Sequence, residues 1–328
     1  MSREIKKIFK KLASVPGVCG YETARTDAVR ELLDPARFEI SRDTLGNLIA
    51  KSRTEGDKKI MISVPIDSPG LLVTFIDSEG RLRVSAIGSP SLQSLSFRRV
   101  ISQSGRAGVV TPLSDGKISS DADLFIDVGA KSKADAERVA SIGDVFSLEG
   151  CVDELVSGRL CSGAAGAAAC ATAAVIAADS LSEIDAELYI VFTAQSRVGY
   201  RGARTAAAAI SPDLSISLFP ACFDGKSHEG QDAVRIGDGI VALLRDGSAI
   251  ASTELCSTLT RSPLARKIRE RVSRDPSTDA SVIAASGGGS ATLSLCIPTK
   301  NPATPAETVD TSDVALAADA LALLVRSI

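Results

Sequence analysis

Buried strands alternate with helices along most of this 328-residue sequence, and a run of short strands interrupts the alternation. The alternating parts lie before Gly70 and after about Gly158. Apolar segments such as "KKIMISVPID" are followed there by helical ones, which is typical of a mostly parallel or mixed sheet covered by helices. The short strands between, from "LLVTFIDSEGRLRVSAIG" to "GDVFSLEG", are separated by glycine turns and favour a small β-barrel or sandwich. The predicted fold class is therefore α/β with an inserted small β-barrel domain.

This pattern predicts the domain organisation and the main elements. Residues 1–69 and 159–328 form the α/β domain, and residues 70–158 form an inserted β-rich domain. In the second α/β part we interpret "ELYIVFTAQ", "DLSISLFPA" and "SATLSLCIP" as strands. The segments "GAAGAAACATAAVIAAD", "YRGARTAAAAI", "SPLARKIRERVSR" and "VALAADALALLVRSI" are interpreted as helices.

Charge and composition exclude several classes of function. The net charge of -3 provides no basic field for nucleic acid or an anionic membrane, and no apolar run reaches the length of a membrane span. The start "MSREIKKIFKKL" lacks a secretory apolar region, so we expect a cytoplasmic protein. The seven cysteines show no CxxC spacing and are expected to be mostly buried small hydrophobes. The single histidine, His228, excludes any site that needs two imidazoles.

A candidate site lies where the predicted strands end, because ligands of open α/β sheets bind beyond the carboxyl ends of strands. These ends are Asp67, Gln195–Arg197, Phe219–Ala221 and Pro298–Lys300.

Six motifs that include these ends occur in one order along the chain. They are "PGVCGYE", "DTLGNLIA", "LFIDVGAKSKADAE", "FTAQSRVGYRGARTAAAAISPD", "STDAS" and "IPTKNPATPAETVDTSDV". In this order the chain resembles the tetrahedral (TET-type) aminopeptidases, the metallopeptidase family of glutamyl aminopeptidases and cellulase M-like proteins. The resemblance runs from Pro16 to about Val314. It implies an α/β peptidase domain with two zinc or cobalt ions, and an inserted domain that mediates dimerisation.

The chain departs from the family at the positions where the resemblance implies metal ligands and a general base. The implied ligand positions hold residues of other types, namely Pro65, Cys161, Arg197, Phe219 and Ala303. The implied base position holds Ser196, so no catalytic residue is assigned. Three acids of the motifs remain, namely Asp67, Asp279 and Glu307. We therefore predict no cofactor and no metal at the family site.

Two functions from different classes remain open. The first is a catalytically inactive family member with a structural, regulatory or ligand-binding role. The second is an aminopeptidase or hydrolase with a residual or re-purposed site, for which the cleft candidates are Asp67, Cys161, Arg197, Lys300, Glu307 and Asp279. In either case Arg197 is a candidate to replace the missing cation charge by pairing with Asp67 or Glu307, the alternative being that it bends to solvent.

The partners follow from the resemblance alone. It implies self-association, from a dimer to a dodecamer, and an active paralogue is a further candidate partner. Neither nucleic acid nor a membrane is expected as a partner.

Overall fold

The computed structural model describes residues 2–148, 151–181, 184–223, 233–273 and 277–328. The helices are α1 (Ser2–Ala13), α2 (Thr23–Arg30), α3 (Lys133–Ala136), α4 (Ala165–Ser180), α5 (Arg201–Ile210), α6 (Thr253–Thr260), α7 (Ala280–Ile283) and α8 (Thr311–Arg326). The strands are β1 (Phe38–Arg42), β2 (Leu48–Ser52), β3 (Lys59–Pro65), β4 (Gly70–Ile76), β5 (Leu82–Ile87), β6 (Arg99–Ser102), β7 (Ala107–Pro112), β8 (Leu124–Asp127), β9 (Val145–Ser147), β10 (Asp153–Glu154), β11 (Arg159–Ser162), β12 (Glu187–Thr193), β13 (Leu214–Ala221), β14 (Ile240–Arg245), β15 (Ile268–Val272), β16 (Ala291–Pro298) and β17 (Glu307–Asp310).

A mixed eight-stranded sheet forms the centre of the α/β part, in the order β1-β2-β12-β3-β13-β16-β14-β15. Strand β3 pairs parallel to both β12 and β13, and β13 pairs parallel to β16. These strands read as continuous apolar runs because both faces of the sheet are covered. Their parallel direction places the carboxyl ends of β3, β12, β13 and β16 at one edge, where the candidate site lies.

Helix α4 shows how composition determines packing in this part of the chain. Alanine is the strongest helix former, and nearly every residue of α4 up to Ala178 is buried. The small side chains allow α1, α8 and the sheet to pack closely around α4. The start of α4 is thereby held beneath the edge where the parallel strands end.

The segment between β3 and β11 contains a closed six-stranded barrel in the order β4-β5-β8-β7-β6-β9. Its strands contribute a hydrophobic core of their own, which includes Leu71, Ile126 and Phe146. Closure pairs both edges of the sheet, which protects short strands that would otherwise be exposed. The α/β fold with an inserted barrel is confirmed. The division at residues 70 and 158, and a dimerisation role for the insert, stay predictions.

The structure corrects one helix and adds several elements that were not predicted. The prediction of a helix over "SPLARKIRERVSR" is wrong, because Ile268–Val272 forms β15 and pairs parallel to β14 at the edge of the sheet. Charged side chains suit the exposed positions of an edge strand as well as a helix face, so the local pattern does not decide between them. The unpredicted elements include strands β11, β14 and β17 and helices α6 and α7.

No helix in the described part of the chain is long and apolar enough to cross a membrane.

Candidate functional site

The parallel strands bring four predicted site positions to one edge of the sheet. Pro65 ends β3 and is paired in register with Thr193, which ends β12. Asp67 follows two residues after Pro65, and Arg197 lies in the turn after β12. Phe219 lies on β13, opposite Cys296 of β16. The edge therefore has the topology of an α/β ligand site, as the strand ends predicted.

Asp279 lies beneath this edge and is fully buried. Its Oδ2 accepts a hydrogen bond of 2.8 Å from the Thr193 hydroxyl, which lies 3.0 Å from the Ser196 hydroxyl. Burial raises the pKa of Asp279 to about 7, and the nearby charge of Asp67 also raises it, against the lowering effect of the Thr193 hydrogen bond. Ser196 thus belongs to a buried network of hydroxyls and one acid.

The turn after β12 has a strained backbone. Gln195 and Tyr200 both have a φ of 54°, which lies in the left-handed region that residues other than glycine rarely adopt. Each such residue costs on the order of 1 kcal/mol or more, so surrounding contacts must hold the turn in place.

Two buried acids hold that turn. The Gln195 N–H donates to Glu22 Oε1 at 2.9 Å, and the Arg197 N–H donates to Asp67 Oδ2 at 2.8 Å. Burial is the main factor that raises the pKa of each acid. Asp67 therefore has a structural role here as an acceptor for the turn that carries Ser196 and Arg197.

The Arg197 side chain lies beside Asp67 but does not form the candidate ion pair with its carboxylate. Its Nε donates to the backbone carbonyl oxygen of Asp67 at 3.4 Å. Among the described residues, no carboxylate oxygen lies within 4.0 Å of the guanidinium nitrogens. The positive charge still lowers the pKa of Asp67 and of Glu307, although burial raises both by more.

Arg197 also lines a cavity of about 530 Å³ between the α/β part and the barrel. The barrel side is formed mainly by the segment from Ala86 to Pro90, together with Asp121. Gly88 has a φ of +72°, and a side chain there would meet the Arg197 side chain at about 3.0 Å. The close approach of barrel and turn at this point therefore favours glycine.

Glu307 is fixed at the start of helix α4. Its Oε2 accepts a 2.8 Å hydrogen bond from the Gly166 N–H, in the first turn of that helix. A helix N-terminus stabilises negative charge, while burial raises the pKa of Glu307. The Gly166 position has no room for a side chain, since a Cβ there would lie 2.6 Å from Pro220 Cβ and 3.0 Å from Glu307 Oε1.

Phe219 and Ala303, at two more of the implied ligand positions, make contacts that stabilise the fold. The Phe219 ring lies edge-on to the Tyr200 ring, with centroids 6.4 Å apart. Ala303 has a φ of 56°, and its carbonyl oxygen accepts a 2.9 Å hydrogen bond from the Ser91 N–H of the barrel segment. At these positions the side chains offer no polar atom to a ligand.

The remaining candidates, Cys161 and Lys300, both lie next to strand β17. Cys161 is partly buried on β11, paired with Asp153 of β10 and Thr308 of β17. Lys300 is exposed and exchanges backbone hydrogen bonds of 2.9 Å with Thr308. It lines a second cavity of about 270 Å³ with Arg159 and Arg235, separate from the one that Arg197 lines. His228 lies outside the described residues.

Sequence reasoning missed two residues of the site as functional candidates. Cys19 and Glu22 lie in the loop between α1 and α2. Together with Asp67 they form a group in which one potential ligand atom of each residue lies within 4.8 Å of the other two. Both belong to the "PGVCGYE" motif, which was noted only as part of a resemblance. Their closeness to Asp67 was not visible in the sequence because a helix and three strands separate them from Asp67 along the chain.

Comparison with known proteins gives consistent matches over the whole chain. The sequence model of the M42 glutamyl aminopeptidase family matches residues 46–319. A candidate aminopeptidase of Acetivibrio thermocellus is 33% identical, over 98% of this chain and 97% of that protein. An aminopeptidase from the archaeon Desulfurococcus kamchatkensis superposes with a TM-score of 0.93 at 28% identity, covering 100% of this chain and 96% of that one. The TET1 peptidase of Pyrococcus horikoshii, described as able to assemble into a tetrahedron or a large octahedral shell, has a TM-score of 0.85 at 26% identity, covering 99% of this chain and 100% of that one.

Proposed function

The chain belongs to the M42 glutamyl aminopeptidase family, and on that premise we propose that it is a non-catalytic, cytoplasmic member of the family. In this proposal it keeps the fold and the cleft and associates with itself, but does not hydrolyse peptides. Its role is structural, regulatory or ligand-binding. The observation that carries the proposal is the chemistry of the residues at the strand ends.

Those residues do not fit a pair of catalytic cations. Zinc is held in proteins by thiolate, imidazole or carboxylate groups, and two-metal hydrolysis requires several of them together. Pro65, Phe219 and Ala303 have no side-chain donor, and Arg197 carries a positive charge. Cys161 alone offers one thiol, and a single ligand does not make a site.

The general base is also absent from the position where the resemblance implies it. Ser196 has a hydroxyl in hydrogen-bond contact with Thr193, and a neutral hydroxyl does not activate water as a carboxylate or imidazole does. The nearby buried acids accept backbone hydrogen bonds from the turn and from α4. Their arrangement supports a role in maintaining the shape of the cleft.

The cleft retains room for a small ligand. The cavity of about 530 Å³ that Arg197 lines is within the range of small-molecule sites, which is roughly 300–1,000 Å³. The Arg197 guanidinium has hydrogen-bonding capacity beyond its one contact with Asp67. These two features support binding without hydrolysis.

The proposal is tested with a panel of aminoacyl chromogenic substrates in the presence of added zinc or cobalt. We expect no turnover above the blank, while the lysyl aminopeptidase of Pyrococcus furiosus, a relative 29% identical to this chain, serves as the active control. Turnover that a chelator abolishes, and that is lost in Cys161→Ser or Asp67→Asn, would instead support the second function, a re-purposed hydrolase.

Self-association is the other part of the proposal, by analogy with the assembly described for the Pyrococcus horikoshii relative. The barrel segment exposes large apolar side chains, including Phe97, which is 73% exposed, and Ile142, which is 66% exposed. Exposed apolar side chains of this size are typical of contact surfaces when they cluster. Light scattering should give a mass above 33.9 kDa, and a monomer at all concentrations would contradict the proposal. Co-purification with a tagged active paralogue would identify mixed assembly.

A further inference from the structure

A buried group of three potential metal ligands lies beside the turn after β12, and none of its members is at a ligand position implied by the family resemblance. The group consists of Cys19, Glu22 and Asp67, and one ligand atom from each lies within 4.8 Å of the others. All three residues are buried, with exposed fractions of 3%, 5% and 1%. Three donors at this spacing are close enough to contact one common ion.

One donor atom of the group lacks a regular hydrogen-bond partner. The Asp67 carboxyl interacts with the Cys19 thiol and its Oδ2 accepts from the Arg197 N–H, but its buried Oδ1 has no hydrogen-bond partner of regular geometry. A buried carboxylate oxygen without a partner is costly, and in native proteins it calls for an unobserved water, ion or ligand. The hydrogen bonds that Glu22 accepts from Gly20 and Gln195 both end on Oε1.

The backbone holds the two segments of the group in a fixed relation. The Cys19 N–H donates to the Ser68 carbonyl oxygen at 3.0 Å, and the Ser68 N–H donates to the Gly17 carbonyl oxygen at 2.8 Å. Val18 and Ser68 form a parallel bridge, and a Cβ at Gly70 would lie 2.6 Å from Val18 Cγ1. The loop and the end of β3 are therefore closely apposed before any ligand binds.

From this geometry we propose that Cys19, Glu22 and Asp67 form a site for one zinc-like divalent cation, which ties the loop between α1 and α2 to the end of β3. One thiolate and two carboxylates favour zinc, cobalt or cadmium over magnesium and calcium, which prefer oxygen ligands alone. On binding, the Cys19 thiol gives its proton to solvent and the sulfur lone pair binds the cation. The site uses none of the implied ligand positions, although Asp67 adjoins two of them, Pro65 and Arg197, and it does not depend on the proposed function.

The surrounding charges are compatible with a cation at this place. Burial raises the pKa of Cys19 above its ordinary range, and the charges of Asp67 and Glu22 raise it further. The thiol therefore keeps its proton when no cation is bound, and it is hydrogen-bonded to the Asp67 carboxyl, so a divalent ion has to displace that proton. Arg197 compensates part of the surrounding negative charge, since its charge lowers the pKa of both Cys19 and Asp67.

Cobalt is the probe of choice because a cobalt–thiolate bond gives a charge-transfer band in the near ultraviolet. The full-length chain is stripped with a chelator and titrated with cobalt chloride, and bound metal is counted by elemental analysis. We expect one cobalt per chain with the band present, and displacement of the band by zinc. Cys19→Ser should remove the band and Glu22→Gln should weaken binding, while Cys161→Ser should leave both unchanged.

Several results would overturn the inference. The inference fails if the wild-type chain shows no cobalt–thiolate band, or if the band survives in Cys19→Ser. A band lost in Cys161→Ser and kept in Cys19→Ser would place the ion at the family position, and would count against the proposed function too. If Cys19→Ser does not fold, the comparison of Glu22→Gln with Cys161→Ser decides, with circular dichroism as the check of folding. Hydrolysis assays test the proposed function independently of all these variants.

Discussion

Asp279 offers a direct test of the electrostatics of the cleft, because it is fully buried and its pKa is raised from 3.8 to about 7. The folded state therefore retains a proton that the unfolded chain releases at lower pH. Its contribution to stability is fully present below the unfolded pKa and is lost as pH rises through about 7. At about 1.4 kcal/mol per pKa unit, the loss amounts to roughly 4 kcal/mol.

The substitution Asp279→Asn removes the ionisation and keeps the shape and the acceptor for Thr193. Near pH 4 the variant and the wild type should be similarly stable, because Asp279 is then largely protonated. Near pH 8.5 the variant should be more stable by up to roughly 4 kcal/mol, or about 6 °C in Tm for a chain of 328 residues. Asp313, whose pKa is also raised to about 7 by burial, is present in both proteins and cancels in the difference.

The assay is thermal unfolding followed by far-ultraviolet circular dichroism, since the chain has no tryptophan to report by fluorescence. The quantity of interest is the difference in Tm between variant and wild type as a function of pH. A difference that stays constant between pH 4 and pH 8.5 would refute the reasoning, because it would mean that Asp279 does not titrate differently in the folded state.

Two further predictions concern packing near the cleft. Gly166→Ala should lower the free energy of unfolding by about 1–3 kcal/mol in urea titration, because its Cβ would lie 2.6 Å from Pro220 Cβ. Gly288→Ala is the matched control, because a Cβ there would have no atom within 4 Å. Equal effects of the two substitutions would contradict the steric account. Arg25→Met should lower the free energy of unfolding by about 2–4 kcal/mol, because the fully buried guanidinium donates to backbone carbonyl oxygens that would lose their partners. Arg30→Met, on the exposed face of the same helix, is the control and should change stability little. A similar loss in both variants would show that the buried hydrogen bonds are unimportant.

The retention of Asp67 in a chain without the family's ligands has a structural explanation. Its carboxylate accepts the Arg197 N–H and so supports a turn with left-handed residues at both ends. Loss of the acceptor would leave that strained turn with one acid fewer to hold it. This role needs no metal at the family site, and is compatible with a cation bound on the other oxygen.

Local pattern in the sequence determined most of the architecture. The alternation of buried strands with helices and the interruption from Gly70 to about Gly158 predicted the α/β sheet and the inserted barrel, because hydrophobic periodicity is set by neighbours along the chain. Strand ends also predicted the edge that carries Asp67 and Arg197, since parallel strands share their carboxyl ends. The substitution of the implied ligand positions is likewise a property of the sequence alone.

Only the tertiary structure decided which groups meet. Arg197 contacts the carbonyl oxygen of Asp67 rather than a carboxylate, and Lys300 lines a different cavity. Cys19 and Asp67 come together across an intervening helix and three strands, and β15 forms by pairing with β14, where local periodicity favoured a helix. These outcomes depend on long-range packing and on backbone hydrogen bonds between distant segments. A pattern of a few neighbouring residues determines neither of them.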